Sequence, residues 1–165
     1  MILSLRRPTE LPETNPTQMK IHHFNLCLRT NAYLEFIDVT NLIIEKIRFT
    51  DVKFGLINIQ TMHTTTAVIV NENEPLLLND MKKAIERAAP CSLHYQHDDF
   101  TIRTVNLDAD ECRNGHSHCQ ALFLNTAVTL NIVDEKLQLG KWQRIFFIEL
   151  DRAKERTISL MIIGQ

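Results

Sequence analysis

Glycine is scarce in this chain, with four in 165 residues. That leaves no room for a glycine-rich phosphate loop. Cysteine is equally sparse: Cys27, Cys91, Cys112 and Cys119 form no CxxC pair. A chain of this length does not depend on disulfide staples, so reduced thiols in a cytoplasmic protein are expected, and a sulfur-based zinc site is not. No apolar run approaches the roughly 18 residues that a membrane span needs. The formal net charge is −2, so no basic excess marks a nucleic-acid binder. Neither nucleic acid nor membrane is an expected partner.

What is present fits an ordinary globular domain: 44% hydrophobic and 23% charged residues. Residues 1–18, MILSLRRPTELPETNPTQ, have too short an apolar part for a signal peptide and carry three prolines. They read as an extended or partly disordered arm, followed by a single domain over 19–165. Residues 20–28 alternate as a strand. Val39, Leu42, Ile43 and Ile47 recur at helical spacing, which predicts a helix over 39–48. Residues 55–62 and 66–72 read as buried strands. Pro75 opens a helix that Pro90 ends, with Asn73 as a candidate cap. Residues 91–115 are polar and irregular, the place where function is expected. Residues 121–133, 142–150 and 156–163 read as strands, with a tight turn at Asp134-Glu135-Lys136. The fold class is therefore α+β: mainly antiparallel, sandwich- or barrel-like, with two helices inserted in the N-terminal half.

The seven histidines concentrate the chemistry. His116 and His118 stand two apart. If the 121–133 strand begins at 116, both rings point to one face, with Cβ atoms roughly 6–7 Å apart. Two imidazoles held that close favour a divalent cation between them, because like charges repel when both are protonated. His97 in YQHDD is the first candidate for a further ligand. Asp98 beside it can serve as ligand, base or orienting acceptor. His63, flanked by threonines, is the other candidate and a possible base. His22 and His23 are adjacent and face opposite ways.

Weaker signals accompany these. Thr64, Thr65 and Thr66 can hold phosphate oxygens or simply fill a strand. Trp142 can stack on a flat heterocycle or pack in the core. Glu149 and Asp151 share a face, for acid–base work or for surface pairing with Arg144 or Lys154.

Four segments then follow one another in order: MHTTTAVIVNEN, YQHDD, RNGHSHCQALFLNTAVTL and LQLGKWQRIFFIELD. Together they resemble the YjbQ family, an uncharacterised family (UPF0047) also called secondary thiamine-phosphate synthase enzymes. The resemblance runs from about residue 20 to residue 163. It implies a homotrimer with a histidine-lined metal or phosphate pocket. Carried onto this chain, it singles out His63, Asp98 and Asn71 as catalytic. Thr64, Thr65, Glu72, Asn114, Trp142 and Gln143 would bind substrate, and His97, His116 and His118 would bind metal. His116 occurs in only a subset of the family. After IELD the family usually continues Gly-Pro-Arg, whereas this chain has Arg152-Ala153-Lys154, so Lys154 or Arg156 must supply any anion contact.

The resemblance implies weak thiamine-phosphate synthase activity, joining an aminopyrimidine methyl diphosphate to a thiazole phosphate. That chemistry needs a divalent cation, donors for phosphate oxygens and a flat, dry pocket. Histidines suit zinc or a similar transition metal better than magnesium, the other candidate. A metal-dependent hydrolase of a small phosphorylated metabolite is the alternative reading, and a non-catalytic metal- or anion-binding trimer the third. Light scattering tests the oligomer: three times the 19.1 kDa chain mass is expected, and a monomer mass contradicts it.

Overall fold

The computed structural model describes residues 18–165, so the arm expected at 1–18 lies, apart from Gln18, outside the described residues. In β1 (Lys20–Arg29) alternation is complete: Phe24, Leu26 and Leu28 turn toward the core, and Ile21, Asn25 and Cys27 turn out. A short strand not evident in the sequence, β2 (Glu35–Asp38), precedes α1 (Thr40–Arg48). Then come β3 (Phe54–Thr61), β4 (Thr66–Glu72) and α2 (Pro75–Ala88). Pro75 sits in the first turn of α2, as expected, but Glu74 is the cap, accepting the Leu76 and Leu77 amides at 2.9 and 2.7 Å. Asn73 instead donates its side-chain amide to Asp38.

The 91–114 segment is irregular apart from one 3-10 turn at Gln96–Asp98. Beyond it lies the main departure from the sequence reading. Residues 116–125 do not begin a strand. They contain α3 (Gly115–Ala121), and β5 (Ala127–Val133) starts only afterwards. The physical reason is the burial period. Ser117, Gln120, Ala121 and Leu124 face inward at helical spacing, while the apolar pair Leu122 and Phe123 is exposed. Asp134 and Glu135, both at positive φ (52° and 62°), form the two-residue turn into β6 (Lys136–Leu137). The chain closes with β7 (Gln143–Glu149) and β8 (Glu155–Gly164).

The strands make two sheets, ordered β1-β8-β3-β5-β6 and β2-β7-β4, and every pairing is antiparallel. One core lies between the sheets and α1, built on Ile43, Ile57, Ile59, Phe147, Ile158 and Leu160. A second lies on the other face of the small sheet, where α2 and α3 cover Ala67, Phe146, Ile148 and Leu150. Strand β7 is thus buried on both faces, which is why its IFFI run does not alternate with polar residues.

Gly55 faces Gly164 across the β3–β8 pair. A Cβ on Gly55 would meet the Ile163 carbonyl oxygen at 2.2 Å. Gly55→Ala is therefore expected to cost about 1–3 kcal/mol, as overpacking does. Urea denaturation measures it, and an unchanged midpoint contradicts this packing.

Candidate functional site

At the end of the sandwich where β7 stops and β8 starts, the β3–β4 turn is pinned from three sides. Leu150 donates its amide to the Thr65 carbonyl, Met62 donates to Thr157, and His63 donates its backbone N–H to the Thr61 hydroxyl. Beneath the turn lies an ion pair removed from solvent. Arg156 donates Nε to Glu149 Oε2 at 2.6 Å and Nη2 to Glu149 Oε1 at 2.5 Å, and Nη2 also reaches the Thr65 hydroxyl at 3.1 Å. Glu149 further accepts the Thr30 hydroxyl and the Asp151 amide. Of the pairings expected for Glu149 and Asp151, the one between Asp151 and Lys154 is present at 2.7 Å, although Asp151 is buried; Glu149 pairs with Arg156, and Arg144 binds Asp38.

Above this floor opens a cavity of about 470 Å³, lined by His63, Thr64, Thr65, His97, Asn114 and His118 together with Lys154 and Arg156. Two segments distant in sequence thus meet the HTT turn. The third wall, Arg103, Asn106 and Glu111, carried no signal in the sequence beyond lying in the polar, irregular 91–115 segment. Arg103 braces the irregular loop: it donates to the backbone oxygens of His97, Val105 and Asn106 and to Glu111.

The histidines differ in what their nitrogens can do. The Thr157 amide donates to His63 Nε2 at 2.8 Å, so that atom carries the lone pair and the neutral ring's proton sits on Nδ1. Burial, and then the Arg156 charge, hold the His63 pKa below the ordinary value. His63 is therefore a neutral donor toward the cavity, with no free lone pair for the base or ligand role expected of it. His97 and His118 stand with ring centres 4.6 Å apart. Nε2 of His97 is buried without a hydrogen-bond partner among the described residues. Burial, followed by the neighbouring His97 and Arg103, lowers the His118 pKa. Asn114, only 6% exposed, has a side-chain oxygen that is likewise unpartnered.

His116 does not join them. On a helix, residues two apart diverge by about 200°, and the His116 ring packs against Tyr33 and Tyr95, at 5.3 and 6.4 Å between centres. It lines a different cavity, together with Asp98. Asp98 accepts the Asn114 and Gly115 amides at 2.9 and 2.8 Å, so it is committed to the start of α3.

These motifs carry a family match. The chain matches the family model described as UPF0047 protein YjbQ-like over residues 24–165. A UPF0047 protein of Methanothermobacter thermautotrophicus is 31% identical over 147 residues, covering 89% of this chain and 95% of its own length. One from Archaeoglobus fulgidus is 35% identical, covering 81% and 94%. A crystal structure of a YbjQ-like protein of unknown function from Sulfolobus solfataricus superposes with a TM-score of 0.78 at 30% identity, over 90% of this chain and all of its own. The chain belongs to the UPF0047 (YjbQ-like) family.

The remaining residues drawn from the YjbQ-like resemblance lie elsewhere. Along β4, Thr66 pairs with Glu149 but Glu72 pairs with Gln143, so Asn71 and Glu72 stand at the far end of the strand from the HTT turn, roughly 20 Å away at 3.3 Å per residue. Asn71 donates to the Met81 sulfur, and Gln143 accepts the Gly140 amide. Trp142 is 62% exposed, with the Lys141 ammonium 4.5 Å from its ring centre. Neither the packing role nor the stacking role in the histidine cavity holds for this tryptophan within one chain.

Two outcomes follow for this YjbQ-like site. Glu149→Gln leaves a buried guanidinium without its counter-charge and is expected to lose about 3–5 kcal/mol of stability; denaturation indistinguishable from the parent contradicts that. His63 and His118 resist protonation in the folded state. The unfolded chain then binds more protons than the folded one as pH falls below 6.5 toward their lowered values, so stability drops across that window. Replacing both by glutamine should flatten the dependence there, and an unaltered pH profile speaks against it.

Proposed function

We propose that the cavity binds a small phosphorylated metabolite, as a phosphate monoester, against a divalent transition-metal ion, and that hydrolysis is the reaction class. The observation that carries this is the meeting of the His97 and His118 rings in one cavity with the Asn114 amide, where His97 Nε2 and the amide oxygen are both buried and unpartnered. His97, His118 and the Asn114 oxygen would hold the ion. Two imidazoles on one tetrahedral ion at about 2.1 Å have ring centres roughly 5 Å apart, close to the spacing found. Nitrogen donors of this kind suit zinc, nickel or iron rather than magnesium. His116, Asp98 and His63 do not belong to the set, and no group of three or more His, Cys, Asp or Glu side chains suited to a metal occurs among the described residues. The third ligand in this reading is an amide oxygen. When bound, such an ion supplies Lewis acidity to a phosphoryl oxygen.

The chain's own groups would do the rest. Thr64, the Lys154 ammonium, the free Nη1 of Arg156 and Nδ1–H of His63 are donors for phosphate oxygens. Charge limits the ligand. Each cation lining the cavity already has a partner: Arg103 with Glu111, Lys154 with Asp151, Arg156 with Glu149. With these pairs closed, the acidic and basic side chains contribute no net charge, so a divalent ion is balanced by one phosphate monoester, which carries about −1.5 to −2 at neutral pH. The thiamine-phosphate synthase reaction brings a diphosphate and a phosphate together and needs a flat slot. The cavity has neither spare positive charge nor an aromatic wall other than histidine. The exposed Ile21, Leu56 and Ile163 on the outer sheet face support the homotrimer.

Calorimetry of chelator-treated protein tests this proposal. Zinc should bind, and His97→Ala and His118→Ala should each lose that binding while His116→Ala keeps it. Inorganic phosphate should bind the zinc-loaded protein more tightly than the metal-free one. Zinc binding untouched by His118→Ala, or phosphate indifferent to zinc, overturns the reading.

A further inference from the structure

Asparagine is among the best helix N-caps because its side-chain oxygen takes an orphan amide of the first turn. Asn114 occupies the N-cap position of α3 and makes no such bond. Its oxygen is buried and unpartnered, and the residue lines the histidine cavity. The amides of Asn114 and Gly115 go to a carboxylate from another segment, Asp98 Oδ1. Gly115 permits this approach, since a Cβ there would lie 2.5 Å from Tyr95 Cβ and 3.2 Å from Asp98 Oδ1.

We infer that Asp98 is a positioning residue: by accepting the Asn114 and Gly115 amides it fixes the backbone at the start of α3, so that the Asn114 side chain does not turn onto the His116 or Ser117 amide and keeps its oxygen for a ligand. The same contact ties the two halves of the site together. Asp98 follows His97 in the 3-10 turn, and His118 lies four residues, about one helical turn, beyond Asn114. One carboxylate thus sets the 3-10 turn against α3 and holds the two rings beside the amide oxygen. Asp98 acts as an acceptor, and neither proton transfer nor metal ligation by it is required. The buried unpaired oxygen is costly when no ligand is present, so without Asp98 the local capping bond is the better outlet for it.

The inference rests on the metal reading for its consequence but not for its geometry, and the experiment separates the two. Zinc affinity is measured for the parent, Asp98→Ala, Asp98→Asn, Asn114→Ala and the double variant Asp98→Ala/Asn114→Ala. Asp98→Ala and Asn114→Ala should each weaken zinc by at least about tenfold, the usual scale for groups that orient ligands. The double variant should lose less than the product of the two single losses, because part of what Asp98 does is to hold Asn114. Asp98→Asn keeps an acceptor oxygen and should retain near-parent affinity, which loss of a base or ligand would not allow. Crystals of metal-free Asp98→Ala give the second readout: the Asn114 side chain should have turned to accept the His116 or Ser117 amide. If that side chain keeps its place, or the two single losses multiply in the double variant, the inference is overturned. A parent protein that binds no zinc defeats the metal reading alone, and the metal-free crystals still decide this one.

Discussion

The contact between Glu149 and Arg156 organises the end of the molecule where the chemistry gathers. It joins the last residue of β7 to the second of β8. Through the Thr65 hydroxyl it reaches the β3–β4 turn, and through Thr30 the end of β1. Neither charge touches water appreciably, so each is tolerated only because the other is there, with further hydrogen bonds filling the remaining oxygen sites. These contacts cross-link the cavity floor. His63 is fixed in one tautomer because the Thr157 amide comes from the adjoining stretch of β8.

On that floor the irregular 91–114 segment folds back as a wall, and its internal bracing differs from that of the sandwich. Arg103 gathers backbone oxygens across its own loop, and Asp98 gathers amides from α3. Few of these contacts are apolar. The wall's shape is set by charge-assisted hydrogen bonds, which suits a surface that must present polar atoms unpaired.

Much of the sandwich was legible in the sequence because its signal is periodic. The alternation of KIHHFNLCLR, the Pro75 start of α2 and the apolar run of β7 all mark elements found in the structure. The HTT turn, His97, Asn114 and His118 were also legible as one group, through motif order. What misled was chemistry read at the wrong period. His-x-His on a strand is a pair, but on α3 it is a divergence, and the polar inward residues Ser117 and Gln120 concealed the helix. Asp98 was recognisable as important, yet its role depends on amides far along the chain. The separation of Asn71, Glu72, Trp142 and Gln143 from the cavity depends on strand register, which residue identity does not reveal.

The central claim is that His97, His118 and Asn114 converge on one point that accepts a transition-metal ion. An anomalous difference map at the zinc absorption edge, from a crystal soaked in zinc, tests it most directly. One peak is expected within about 2.0–2.2 Å of a nitrogen of each of those two rings and of Oδ1 of Asn114. A peak beside His116 and Cys91 instead, or no peak between His97 and His118, would contradict the account.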